Sequence, residues 1–345
     1  MSQARRAAAD KLGRPRLRRW SLALLLALAA CGPGSRDPFA DSRPPAGLAE
    51  RFYPPENWAW GLIQVGDAPA QRYGVAAPAV TPRADVLILP GYGESAETWF
   101  ETARDLGQSG YAVWVLEGVG QGGSGRLSGR RDMGDARSFD TDVAAARAMI
   151  ETVIRPQPRR PLILLGEGVG GFVAARAVEA GARPAGLILS GASCGGGMPG
   201  GALAQFGLGG MRAPGGDVWR RDGPDDFAAH RTHDPWRGAV THAWQLLNPD
   251  LRLGGPSLEW RAALADLQAR TVADAARVQV PTLVLAAGAP GCLAPPGAAV
   301  QSIAGADPAL ELEDDTHRAP WLGALRQFVA AAAAKADPAA SGHVP

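Results

Sequence analysis

Short apolar runs recur along this chain at nearly regular intervals. Candidate strands at 58–65 and 70–77 are followed by apolar runs at 84–90, 111–117, 161–167, 185–191 and 281–288, with a last one near 309–313. Between them, at about 95–108, 137–154, 169–182, 294–303 and 319–335, apolar residues recur at the spacing of amphipathic helices. Short strands alternating with helices predict an α/β protein. Its mostly parallel eight-stranded sheet should carry helices on both faces and begin with two antiparallel strands. The stretch 193–275 breaks the rhythm with clustered glycines, four tryptophans (Trp219, Trp236, Trp244, Trp260) and three histidines (His230, His233, His242). It reads as a cap inserted between the sixth and seventh strands of a domain covering 51–345.

The first fifty residues follow another pattern. Seven basic residues from Arg5 to Arg19 precede an apolar run, Leu22 to Ala30, that is too short to span a bilayer and reads as a secretory signal over 1–30. It ends in Leu28-Ala29-Ala30-Cys31, which resembles the lipobox of bacterial lipoproteins. That resemblance implies lipidation of Cys31 and anchoring in the cell envelope, while Pro33, Pro38, Pro44 and Pro45 among glycines and charges make 31–50 read as a flexible tether. Gly32 does not resemble an inner-membrane retention signal, so the expected location is the outer membrane, facing the periplasm.

Removing the signal changes the charge. The full chain has 35 basic and 34 acidic residues, but from Cys31 onward 28 basic stand against 33 acidic, a net of −5. This mature charge, with no basic run, gives no footprint for nucleic acid. No cofactor is expected. Once Cys31 is assigned, only Cys194 and Cys292 remain.

The most informative segment is 162–171, Leu-Ile-Leu-Leu-Gly-Glu-Gly-Val-Gly-Gly. It has the form of a nucleophile elbow, a strand turning sharply through G-x-S-x-G into a helix, but Gly168 occupies the serine position. Further motifs are Leu89-Pro90-Gly91-Tyr92-Gly93-Glu94, the run Gly118-Val119-Gly120-Gln121-Gly122-Gly123-Ser124-Gly125-Arg126, Asn248-Pro249-Asp250-Leu251 and His317. Together they resemble the α/β-hydrolase branch of bacterial lysophospholipases, monoacylglycerol lipases and serine aminopeptidase-like proteins, over roughly residues 51–335. The resemblance implies ester cleavage by a Ser-His-Asp triad. Carried over residue by residue, it puts the nucleophile on Gly168, the acid on Pro290 and the histidine on His317. Two of the three side chains are therefore missing. The oxyanion-hole amides map to Tyr92 and Val169.

Cys194 and Cys292 lie just past the sixth and seventh strands, neighbours in this topology, where a disulfide can form. Ser95, Ser190 and Ser193 read as strand-end or helix-cap serines, not as a transplanted nucleophile. Glu167 reads as a carboxylate satisfied by backbone donors, with a buried protonated acid as the alternative. Asp314 and Asp315 stand near His317 but off the usual acid position. His230, His233, Asp234 and His242 match no metal-ligand spacing, so no metal is expected. The cap tryptophans either fill a core or line a lipid slot. The expectation is a lipid-anchored, catalytically degenerate hydrolase fold that binds an acyl or lysolipid ligand or a protein partner. The alternative is an active ester hydrolase with an unrecognised nucleophile or a water activated by His317.

Overall fold

The computed structural model describes residues 38–39, 41–130, 132–195, 197, 206–223 and 231–336. The signal segment, Cys31 and His230 lie outside the described residues. Eight strands form one sheet: β1 Ala59–Ile63, β2 Gln71–Ala76, β3 Ala84–Leu89, β4 Tyr111–Leu116, β5 Leu162–Glu167, β6 Gly186–Ser190, β7 Thr282–Ala287 and β8 Ala299–Ile303. Their order is β1-β2-β4-β3-β5-β6-β7-β8. β2 is antiparallel to β1 and β4, and every other pairing is parallel.

Alternation along the central strands builds two cores. Leu87, Leu89, Leu164, Leu187 and Leu189 face α2 (Asp140–Ala148), α3 (Val169–Glu179) and α5 (Leu258–Ala273). Their neighbours Val86, Ile88, Leu165 and Ile188 face α1 (Phe100–Gln108) and α6 (Asp315–Ala336). Because both faces are covered, these strands read as continuous apolar runs, and β3 and β5 are buried at every position.

The sequence reading misplaces the last strand. Residues 299–303, expected to be helical, form β8, and the run near 309–313 holds a 3₁₀ turn, Leu310–Leu312. β8 is an edge strand with only Ile303 buried. It therefore lacks the apolar signature of a central strand, while Ala299, Val300 and Ile303 mimic helical spacing.

From residue 41 the expected tether lies on the domain instead of hanging free. The Arg43 amide donates to Asn248 Oδ1 at 2.7 Å, and Asn248 Nδ2 donates back to the Arg43 carbonyl at 2.9 Å. The Ser42 hydroxyl donates to Glu97. Beneath it Arg72 is wholly buried, pairing with Glu97 at 2.9 Å and Glu117 at 2.5 Å, with the rings of Phe39 and Trp60 over its guanidinium. The motif residue Asn248 thus clasps the chain's N-terminal approach.

The cap includes α4 (Pro235–Leu247) and α5. Asp234 caps α4 by accepting from the Trp236 and Arg237 amides. Arg237, 2 % exposed at its side chain, ties the cap to the main domain through Glu101 and Asp315, at 2.8 and 2.7 Å. Asp315 is therefore engaged with Arg237. Across the cap's root, Cys194 and Cys292 are disulfide-bonded, with Cα atoms 5.5 Å apart. Among the described residues no helix is long and apolar enough to cross a membrane.

Candidate functional site

β5 ends at Glu167, the chain turns at Gly168, and α3 starts at Val169. Gly168 has φ 51° and ψ −117°, a conformation that strains any residue with a side chain. The elbow is therefore present as backbone geometry. Its flanks are packed to the limit: a Cβ on Gly166 would overlap the Gly170 carbonyl, and one on Gly170 would overlap the Leu89 carbonyl. At Gly168 the situation is reversed. A Cβ there would meet only the Gly91 Cα, at 3.8 Å, so there is room for a side chain that the sequence does not supply.

The loop after β3 crosses this turn. The Gly91 amide donates to Glu94 Oε2 at 2.9 Å and the Gly93 amide to Gln121 Oε1 at 2.8 Å, which fixes the loop. Between them the Tyr92 amide, like that of Val169, donates to nothing among the described residues. These are the two amides expected to form an oxyanion hole. The Tyr92 side chain is turned into the cap, where its hydroxyl donates to the Gly254 carbonyl at 2.7 Å and its ring meets Trp260 edge-on at 4.5 Å. Below the turn, Leu89, Pro90, Gln121, Phe139, Asp142 and Val169 border a cavity of about 20 Å³, enough for a single water.

Of the two readings of the cap tryptophans, core filling and a lipid slot, the buried ones among the described residues follow the first. Trp244 is buried against Phe100 and Trp260 against Phe139 and Tyr92, while Trp219 stacks on His242 and Trp236 is exposed. Buried indoles fill the seam between cap and sheet because that seam is where large apolar area is removed from water.

Pro290, the expected acid position, is exposed beyond β7 and offers no carboxylate. His317, in the first turn of α6, nevertheless has an acid partner: Nδ1 lies 2.8 Å from Asp314 Oδ1. The sequence reading set this pair aside because Asp314 is not where the family's acid stands. Helix geometry creates it. Asp314 also accepts from the His317 amide at 3.0 Å, so the carboxylate that caps α6 meets the imidazole one turn on. No hydroxyl among the described residues bonds to His317. Ser190 is buried and accepts from the Trp321 indole at 3.2 Å, Ser95 is buried in a capping box with Thr98, and Ser193 is exposed.

Beneath the elbow lies a cluster of acids that pattern reading missed. Glu94, Glu167 and Glu311 are buried with Arg231 nearby. Burial pushes all three carboxyls above the usual range, mutual repulsion adds to the rise for Glu167 and Glu311, and Arg231 pulls each back in part. Glu94 Oε1 and both Glu311 carboxyl oxygens are buried without a hydrogen-bond partner among the described residues. For Glu167 the alternative reading, a buried acid with raised pKa, fits better than a carboxylate held by backbone donors: its partner is the Ser190 hydroxyl, and its Oε2 is buried without one. Asp142, on the other side of the turn, is raised by burial to about 7, although the Val119 amide donates to it at 2.8 Å.

His233 was read as an ordinary surface or capping histidine. Its ring stacks on His317 with centroids 5.0 Å apart, and its Nδ1 lies 2.9 Å from Glu313 Oε1. His242 stacks on Trp219, and Asp234 is a helix cap. The alternation Leu310-Glu311-Leu312-Glu313 is the only sequence signal of the buried acids before α6, and it resembles an exposed amphipathic edge.

Residues 80–305 match the family described as serine aminopeptidase, S33. This span contains Gly168 and Pro290 and ends before His317. A stretch of 88 residues is 33 % identical to lysophospholipase L2 of Escherichia coli (strain K12), covering 26 % of each chain. The match thus spans about a quarter of that relative. Among solved structures, a carboxyl esterase from Bacillus coagulans aligns with TM-score 0.61 at 17 % identity, covering 80 % of this chain and 99 % of that one. A monoglyceride lipase from Saccharomyces cerevisiae aligns at 0.59 and 15 %, covering 84 % and 98 %. A monoacylglycerol lipase from Paleococcus ferrophilus aligns at 0.56 and 17 %, covering 76 % and 99 %.

Proposed function

Because the chain belongs to the serine aminopeptidase S33 family and has the α/β-hydrolase fold, related to lysophospholipases and lipases, we propose that it is a member that has given up serine hydrolysis. In this reading it keeps the elbow as a binding feature. The observation that carries the reading is Gly168, which adopts the strained turn without the hydroxyl the turn exists to present. An acyl-enzyme needs that oxygen, and glycine has no substitute for it. The Tyr92 and Val169 amides remain able to donate to a carbonyl or carboxylate oxygen of a ligand, since backbone donors survive loss of a side chain. Lipidation at Cys31 would hold the domain at the envelope membrane, where an acyl or lysolipid ligand or a protein partner would meet it.

A second reading rests on one observation. The Asp314–His317 pair orients an imidazole as an active triad does, so a water activated by His317 could replace the serine. One experiment separates them. Full-length protein purified in detergent is assayed on a p-nitrophenyl ester and a lysophospholipid beside His317→Ala and Gly168→Ser. The first reading expects wild type to stay at the buffer rate. Turnover that disappears in His317→Ala would refute it and establish the second.

A further inference from the structure

We propose that His233, Glu313 and His317 form a binding site for a divalent transition metal, zinc being the ion that suits two imidazoles and a carboxylate, at the junction of the cap and α6. One ligand atom from each of the three residues lies within 4.8 Å of the other two. Two ligands about 2.1 Å from a tetrahedral zinc stand roughly 3.4 Å apart, so side-chain adjustments on the order of 1 Å close the site. His233 Nδ1 is already 2.9 Å from Glu313 Oε1 and 3.7 Å from Asp307 Oδ2. An ion seated there would replace the bond between His233 and Glu313 with two coordinate bonds, and Asp307 is near enough to add a fourth ligand.

The surroundings have the order that metal ligands need. The Glu313 side chain is fully buried and aimed by the amides of His233 and Asp314, at 2.9 and 3.0 Å, and by that of Asp307. His317 has its Nδ1 on Asp314, the outer carboxylate partner that a ligating imidazole commonly carries, and this leaves Nε2 for the ion. The stacking of the two rings, 25° from parallel, presents them side by side. Charge points the same way. Carboxylate oxygens of Asp307 and Glu313 lie 3.7 and 2.9 Å from the His233 ring and one of Asp314 lies 2.8 Å from the His317 ring, so three acidic groups surround the place where a cation would sit.

The sequence hides this arrangement, because His233 and His317 are 84 positions apart and each looks unremarkable alone. The fold unites them. β8 and the loop after it carry Asp307, Glu313 and Asp314 beneath the segment that enters α4. A bound ion would staple the segment that enters α4, in the middle of the cap, to the start of α6, as the Cys194–Cys292 disulfide staples the cap's N-terminal root. The inference does not depend on the loss of serine chemistry, since it is read from metal binding and not from turnover.

The test uses full-length protein in detergent, stripped with a chelator and titrated with Zn²⁺ and Co²⁺. The expected result is one equivalent bound, a visible Co²⁺ absorption of a four-coordinate nitrogen and oxygen site, and zinc protection of His233 from acylation by diethyl pyrocarbonate. His233→Ala and His317→Ala should each weaken zinc binding at least tenfold, with His242→Ala unchanged. Absence of stoichiometric binding, absence of protection at His233, or undiminished affinity in either His233→Ala or His317→Ala overturns the proposal. The protection measurement needs no variant, so it remains decisive if a substitution unfolds the chain.

Discussion

Gly168→Ser puts a side chain where the elbow has none, and its effect on stability follows from two quantities. The first is steric: a Cβ at 168 would have Gly91 Cα at 3.8 Å as its nearest neighbour, ordinary van der Waals contact that adds no repulsion. The second is conformational. At φ 51° and ψ −117° a residue with a side chain carries about 1–3 kcal/mol of backbone strain. Replacing glycine also restricts the unfolded chain, which returns about 0.4–1 kcal/mol. The expected net loss is on the order of 1–2 kcal/mol, read as a lower urea midpoint at unchanged slope, which for a slope of about 2–3 kcal/mol/M is roughly 0.5 M. Gly170→Ser provides the contrast. Its Cβ would overlap the Leu89 carbonyl in a parallel sheet that cannot move aside, so this variant should not accumulate folded protein. A Gly168→Ser protein as stable as wild type or more so would refute the strain argument. One as damaged as Gly170→Ser would show that the space above the turn is closed.

Cys194→Ser should destabilise the domain by up to about 4–5 kcal/mol, the loop-entropy value for a closure of 98 residues, and added reductant should lower the wild-type midpoint alone. Arg72→Met strands Glu97 and Glu117 in the interior and should cost about 3–5 kcal/mol by chemical denaturation. Adding Glu97→Gln and Glu117→Gln should recover part of it, and no recovery would rule out stranded charge as the cause. Asp142, raised to about 7, holds a proton in the folded state that the unfolded chain releases near its ordinary pKa. Its contribution to stability is therefore greatest below about pH 4 and declines as pH rises to about 7, by on the order of 4 kcal/mol in total. Asp142→Asn should flatten that part of the stability profile and be the more stable protein above pH 7. A profile unchanged by the substitution would place the carboxylate's pKa near its usual value.

The readable part of the fold was the part whose chemistry is local. Strands β3 to β7 are covered on both faces and announced themselves as apolar runs, and the elbow followed from glycines set between β5 and α3. β8 was missed because a mostly exposed edge strand carries no such run, and its small apolar residues imitate a helical repeat. The reading of residues 41–50 as tether failed for a related reason. Proline, glycine and charge describe a flexible linker equally well as an extended segment bound through Ser42 and Arg43.

What the sequence by itself determined is the class of architecture and the glycine at the turn after β5, because a serine is either present at position 168 or it is not. Only the tertiary structure decided which groups stand together around that turn. Glu94, Glu167 and Glu311 come from three separate segments, and their raised affinity for protons exists only once burial strips away water. His233 and His317 meet because the cap folds back over the start of α6. The Asp314–His317 pair lies between, since its three-residue spacing was visible throughout, yet the contact needed α6 to start at 315 and make that spacing a single helical turn.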